Sequence, residues 1–437
     1  MHESKRKEFM RKMKGGVAIF PSALPALRTH DVEYEYRQDS NFYYLTGFEE
    51  PGSICVLAPG HPEHQFVLFV NPHDPEQEVW TGKRAGVEGG KTLVGADEAY
   101  PITEFDQKIH EYLNDANQIY YSFGFDEDFN RKIVELCKRY GRHRAQQGTG
   151  PNTLIDPGEI LGEMRLIKSG EELKRIRRAT EITADAQITA MKTLHPGQYE
   201  YEIQAMIDSI FRTSEGSQPG FPTIVASAAN AATLHYTANN RQIQDGDLVL
   251  IDAGCEYKYY SGDITRTYPA NGRFTSVQRE IYQLVLECQL AAIEAIRPGV
   301  PLDEPNKKSI ALMTEGMLKI GLLAGEKEEL IAEEKHKQFC RHGIGHMLGL
   351  DVHDLTKTRE SGTHKTFQPG MVFTVEPGLY IAADTENVNP KYLGIGVRIE
   401  DDVLVTTSGC EVLTAKVPKS IDEIERLMGE SKQRESI

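Results

Sequence analysis

Close cysteine pairs are missing from this chain: Cys55, Cys137, Cys255, Cys288, Cys340 and Cys410 are scattered along it. Neither a thiolate zinc site nor a disulfide framework is suggested by that spacing. Long hydrophobic runs are missing too. Nowhere do eighteen apolar residues stand together, so no membrane-spanning helix is expected. The charged start, MHESKRKEFMRKMKGG, leads into VAIFPSALPAL, where Pro21 and Pro25 interrupt the apolar stretch before it resembles a signal-peptide core. The expected compartment is the cytoplasm. Positive charge is in deficit, with 49 basic against 65 acidic residues and a formal charge of −16. Such a surface offers no basic face to a phosphate backbone, which argues against nucleic acid as a partner. Tryptophan occurs once, at Trp80, and no fixed-period repeat or low-complexity tract occurs.

What is present reads as two domains, since 437 residues exceed what one hydrophobic core usually supports. In the first third, SICVLAPG and QFVLFVNP read as strands, and FDQKIHEYLNDA and EDFNRKIVELCKRY as amphipathic helices. The text turns loop-like at GTGPNTLIDPGEI. A capping-box pattern, Ser169 with Glu172, then opens a long helix. The boundary is placed there, giving a smaller α/β domain over 1–165 and an α+β domain over 166–437. In the latter, helices are expected at YEYEIQAMIDSIFRTSEG and SVQREIYQLVLECQLAAIEAI. Largely antiparallel hairpins are expected from GDLVLIDAGCEYKYYSGDITRTY, MVFTVEPGLYI and GVRIEDDVLVTTSGCEVLT.

The chemistry concentrates in the second domain. HGIGHMLGLDVHD, residues 342–354, holds three histidines and two aspartates. His342 and His346 would share one face of a helix, as in zinc peptidase helices. Gly343, Gly345 and Gly349 oppose that, each by about 1 kcal/mol relative to alanine, and the glutamate that should follow the first histidine is absent. A helical zinc site is a poor reading, and spacing alone does not choose a ligand among the histidines. Asp252 ends an apolar run, an odd place for a lone charge. If strands pair about a turn near Tyr257 and Lys258, Asp263 stands opposite Asp252, and two such anions call for a cation between them. Glu376 ends a strand that Pro377 keeps extended. Arg398 and Glu400 share a strand face and, taken singly, read as a surface ion pair or as site residues. Four carboxylates with one imidazole suit Mn2+, Co2+ or Zn2+, and two ions about 3.5–4 Å apart would use them all.

With those residues assembled, the chain resembles the aminopeptidase P (Xaa-Pro aminopeptidase) family of pita-bread metallopeptidases. The family's ordered ligands, Asp, Asp eleven residues on, His, Glu and Glu, match Asp252, Asp263, His346, Glu376 and Glu400. The resemblance selects His346 as the metal ligand, since the family's ligand histidine lies seven positions before the histidine of a Val-His-Asp triplet, here Val352-His353-Asp354. It also covers LHYT, with His235, and the N-terminal stretch YEYRQDSNFYYLTGFEEPGS, in which Asn41 stands where some members have aspartate.

The resemblance implies a pita-bread catalytic domain behind a creatinase-like N-terminal domain, and two divalent metal ions, Mn2+ foremost with Co2+ or Zn2+ as alternatives. It implies release of the N-terminal residue from peptides with proline second, by a hydroxide bridging the two ions. Glu376, His235 and His353 become the catalytic residues, and His342, Arg398 and Trp80 the substrate-binding ones. Prolidase, which cleaves only Xaa-Pro dipeptides, shares fold and ligands and is the nearest alternative. A non-catalytic binding module on this fold would be expected to have lost ligands. A homo-oligomer, dimer or tetramer, is implied as well, with Trp80 bordering a neighbour's pocket.

Overall fold

The computed structural model describes residues 1–124, 126–215 and 217–435. The chain divides into two compact units, Met1–Met164 and Arg165–Ile437.

The first unit is built on a six-stranded mixed sheet. Val17–Pro21, Ile54–Leu57 and Phe66–Val70 pair antiparallel, while Glu98–Pro101 joins one side in parallel and Gln118–Tyr120 and Thr153–Ile155 join the other. Every residue of the second and third strands is buried, which explains why they read as continuous apolar runs with no alternation. The expected helices form as Phe105–Leu113 and Glu127–Gln147. An amphipathic helix over His2–Lys12 escaped the reading because its charged text hides Phe9, the residue it buries most deeply. Trp80 lies on the short helix Pro75–Thr81, which buries none of its residues, and is 85 % exposed.

In the second unit, all strand pairings are antiparallel among the described residues. The capping box at Ser169 and Glu172 forms and opens a helix over Gly170–Thr193. Helices Glu200–Thr213, Ser276–Ala295 and Glu304–Lys319 follow, the last unannounced by a clean apolar stripe. Leu248–Ala253 lies between Ile224–Ser227 and Ile264–Pro269 in one sheet, and all three strands are buried throughout. A second sheet holds Val372–Val375, Asp401–Val405 and Cys410–Val412, and a hairpin joins Gly378–Ile381 to Ile395–Arg398.

One register differs from expectation. The turn is centred on Lys258 and Tyr259, both in the left-handed region with φ of 48° and 71°, one residue later than Tyr257 and Lys258. Asp252 is therefore opposite Thr265, and Asp263 lies two residues before that partner. Because alternation has a period of two, Asp263 still points to the same face, as a diagonal neighbour of Asp252.

Candidate metal centre and active site

No helix forms over residues 340–350. The segment instead runs as irregular chain against the Val372–Val375 strand. His346 N–H donates to Thr374 Oγ1 at 3.0 Å, and Thr374 N–H donates back to the His346 carbonyl at 2.9 Å. Gly345 permits this approach, because a Cβ there would lie 1.8 Å from the Thr374 carbonyl oxygen. The glycines that argue against a helix are what let this chain press against the strand.

The pairing delivers His346 to the carboxylates. Its Nε2 lies 3.7 Å from Asp263 Oδ2 and 3.6 Å from Glu376 Oε1. Its Nδ1 faces the Met347 carbonyl at 3.2 Å, so the ring proton sits on Nδ1 and the Nε2 lone pair points at the carboxyl oxygens. Burial, helped by the neighbouring His353, holds the imidazole down at about 4, so it is neutral. A neutral imidazole nitrogen turned toward buried carboxyl oxygens is a donor set that a cation can share. Asp263, His346 and Glu400 each offer one ligand atom, all within 4.8 Å of one another.

The carboxylates tell the same story. Arg398 and Glu400 are 4 % and 2 % exposed, so the surface ion-pair reading fails. Arg398 pairs with Asp252 across the site, donating also to Thr265 Oγ1 at 3.2 Å and the Tyr380 hydroxyl at 3.0 Å. Glu400 Oε2 accepts from the Thr265 hydroxyl at 2.7 Å. Asp252 Oδ1 and Asp263 Oδ1 are buried without a hydrogen-bond partner among the described residues. Burial first, then the charges of its acidic neighbours, pushes Asp263 well above the usual carboxylate range. Glu400 is raised likewise, and burial takes Glu376 up to about 8 against the opposing effect of Arg398. Orphaned oxygens and mutually raised acids are the mark of a site built for positive charge. The donor set of one imidazole and four carboxylates fits hard or borderline divalent ions.

Around this centre lie the other predicted residues. The His353 ring packs edge-on against His346 with centroids 4.3 Å apart. His342 Nδ1 faces the Gly343 carbonyl at 2.8 Å, so its Nε2 accepts from the Tyr380 hydroxyl at 2.7 Å. Burial and Arg398 hold His342 down at about 4, and His235 lies near enough to add slightly to the effect. Asp252, Asp263, His346, Glu376 and Glu400 thus come together, with His342, His353, Arg398 and His235 about them. Trp80 belongs to the other unit.

Four supporting residues went unread in the sequence. Thr265 was within reach, because it alternates in step with Asp263. Tyr380, Thr374 and Asp402, whose Oδ2 accepts the Asp263 N–H at 2.9 Å, act through partners distant in the chain, and nothing local marks them.

Comparison with known proteins supplies the family. Residues 174–407 match the model of metallopeptidase family M24, and residues 2–127 match that of the aminopeptidase P N-terminal domain. The chain is 42 % identical to Xaa-Pro aminopeptidase of Escherichia coli (strain K12), covering 98 % of this chain and 99 % of that one. It is 35 % identical to Xaa-Pro aminopeptidase 3 of Homo sapiens, over 92 % of this chain and 79 % of that one. The structure of Pseudomonas aeruginosa aminopeptidase PepP superposes with a TM-score of 0.95 at 45 % identity, covering 99 % and 98 % of the two chains. A zinc-substituted E. coli aminopeptidase P in complex with product superposes at 0.94 with 42 % identity, covering 98 % of each. Matched along its length in sequence and in fold, the chain belongs to metallopeptidase family M24 and, within it, to the aminopeptidase P group.

Proposed function

We infer that this protein is a dinuclear metallo-aminopeptidase that removes the N-terminal residue from peptides with proline in the second position. The observation that carries the reading is the neutral His346 lone pair aimed at Asp263 and Glu376 inside a buried carboxylate cluster. Asp252, Asp263, His346, Glu376 and Glu400 would hold two divalent ions, Mn2+ first, with Co2+ or Zn2+ able to serve the same donors. Such ions supply Lewis acidity, acidifying a water molecule and polarising the scissile carbonyl.

The remaining work falls to side chains. An Xaa-Pro bond has no N–H to recognise, and its ring fixes φ near −65°, so a shaped wall must replace extended-peptide pairing. His342, Tyr380 and Arg398 form such a wall, hydrogen-bonded in series and backed by Asp252. Glu376 is the proton carrier: it takes a proton from the attacking water and delivers it to the proline nitrogen, which must be protonated to leave. His235 and His353 donate to the carbonyl oxygen as negative charge develops on it. Trp80, exposed on its own unit, borders the pocket of a neighbouring copy in a homo-oligomer.

Hydrolysis of an Xaa-Pro-Xaa tripeptide beside an Xaa-Pro dipeptide, with metal analysis of the same sample, tests the reading. Tripeptide cleavage with about two ions per chain is expected. Cleavage confined to the dipeptide would make the protein a prolidase.

A further inference from the structure

The segment carrying His235 has little regular structure to hold it. After the 3-10 turn Ala228–Ala232, no strand resumes until Leu248. What closes it is a side chain from elsewhere. Glu200, the first residue of the Glu200–Thr213 helix, is 0 % exposed. Its Oε1 accepts from the Ser227 N–H at 2.7 Å, the Ser227 hydroxyl at 2.6 Å and Asn230 Nδ2 at 3.0 Å. Its Oε2 accepts from the Tyr236 hydroxyl at 2.8 Å and the Arg241 N–H at 2.9 Å. Five donors saturate the roughly four lone-pair sites of a carboxylate, so no capacity remains for an ion or a substrate.

The donors are distributed along the loop. Ser227 is its entry, Asn230 and Tyr236 its middle and Arg241 its exit, and Tyr236 adjoins His235. The loop also contains two non-glycine residues in the left-handed region, Ala228 with φ of 50° and Asn239 with φ of 44°, a conformation that surrounding contacts must enforce. On its other side the loop abuts the Ile395–Arg398 strand, since a Cβ on Gly396 would lie 2.4 Å from the Ala231 carbonyl oxygen. The segment that carries the exposed His235 is thereby fixed on one side by the Glu200 clamp and, through Ala231, on the other by the strand that carries Arg398.

We propose that Glu200 is a positioning residue for the reaction: its carboxylate closes residues 227–241 into one conformation and so places His235 against the scissile group. The proposal rests on the role inferred above for His235.

The test is a double-mutant cycle in metal-loaded protein hydrolysing an Xaa-Pro-Xaa tripeptide, using Glu200→Gln, Tyr236→Phe, His235→Asn and the paired variants. Glu200→Gln keeps the side chain's size, but its amide nitrogen cannot accept from Tyr236 and Arg241. It should lower kcat by about 10- to 100-fold, the scale of a misplacement of about 1 Å, with KM and bound metal little changed. In the His235→Asn background, read at high enzyme concentration, the same change should cost less than about twofold, because the group it positions is gone. Tyr236→Phe should show a milder loss with the same coupling, and it serves alone if Glu200→Gln does not fold. Equal losses in both backgrounds, or loss of metal from Glu200→Gln, would overturn the proposal. If the unaltered protein fails to cleave the tripeptide, the functional reading fails instead. The clamp is then judged by the His235 imidazole NMR signal: Tyr236→Phe should shift or broaden it, and an unchanged signal overturns the proposal.

Discussion

Thr265 stands directly opposite Asp252 across two strands, and its hydroxyl donates to Glu400 Oε2 at 2.7 Å while accepting from Arg398 Nε at 3.2 Å. One small side chain thus orients a carboxylate of the proposed metal centre and the guanidinium that pairs with another. Thr265→Val keeps the shape and removes both contacts. It should weaken metal binding by about 10- to 100-fold, the usual cost of losing a partner behind a ligand, without unfolding the protein. Titration of metal into chelator-treated protein measures this, and unchanged affinity would remove Thr265 from the site.

Asp263→Asn should abolish peptidase activity and lower bound metal, because it deletes an anion while keeping side-chain size. The metal-free variant should nonetheless be the more stable one, since Asp263 is buried against Glu400, Asp252, Asp402 and Glu376. A gain of about 1 kcal/mol would appear as a rise in Tm of roughly 1–2 °C for a unit this large. Near-normal turnover in metal-replete buffer would remove Asp263 from the ligand set.

The same cluster sets a pH dependence. In the metal-free fold, Asp263 and Glu400 are held well above the ordinary range and Glu376 at about 8, burial being the chief cause. In the unfolded chain these groups return to about 4. Between those values these carboxyls bind more protons in the fold than in the unfolded chain, so they stabilise the metal-free fold in acid and lose that contribution as pH rises from about 4.5 to 8, with His342 and His346, held at about 4, offsetting part of the fall below about 6.5. Metal-loaded protein should show the opposite slope over this range, because ligands must lose their protons to bind. Melting curves of both forms at pH 5, 6.5 and 8 check this, and parallel slopes would contradict it.

His346 and His353 have rings in contact, but their alanine variants should fail differently. His346→Ala should lose metal. His353→Ala should retain it and lower kcat by about 10²- to 10³-fold, the scale of deleting one donor to a developing oxyanion. Equal metal loss from both variants would erase the distinction.

Trp80 is the only tryptophan, which makes intrinsic fluorescence a single-site probe. An aromatic face walling a neighbouring copy's pocket should change its emission when a Xaa-Pro product binds. Trp80→Ala should raise KM more than it lowers kcat. A monomer by light scattering, or emission indifferent to saturating ligand, would limit Trp80 to its own unit's surface.

What could be read from the sequence followed the range of the interactions involved. Asp252 stood out because a carboxylate ending a buried apolar run demands a partner, and Ser169 with Glu172 because a capping box is local. The Asp252–Asp263 register was misplaced by one turn residue, since Tyr257, Lys258 and Tyr259 carry no glycine to mark the positive-φ pair. Arg398 could be read in two ways until Asp252, 146 positions away, proved to be its partner. Tyr380 and Asp402 were invisible for the same reason: their hydrogen bonds depend on how strands far apart in the chain come to lie side by side. Glu200 has the local setting of an ordinary first-turn acid, favoured at a helix N-terminus, and nothing in its own segment foretells five donors.

The proposed ligand atoms are drawn from a span running from residue 252 to residue 400: Asp252 on a strand, Asp263, Glu376 and Glu400 beside strand ends, and His346 on an irregular segment. No local stretch of the chain prefigures the centre, unlike a small metal-organised domain whose ligands lie within a few turns. Pairings of such sequence separation carry a large loop-closure cost and form slowly, so the donor set is complete only near the end of folding. Metal should therefore leave the folding rate nearly unchanged and act almost wholly on the rate of unfolding, making occupancy a determinant of how long the molecule persists.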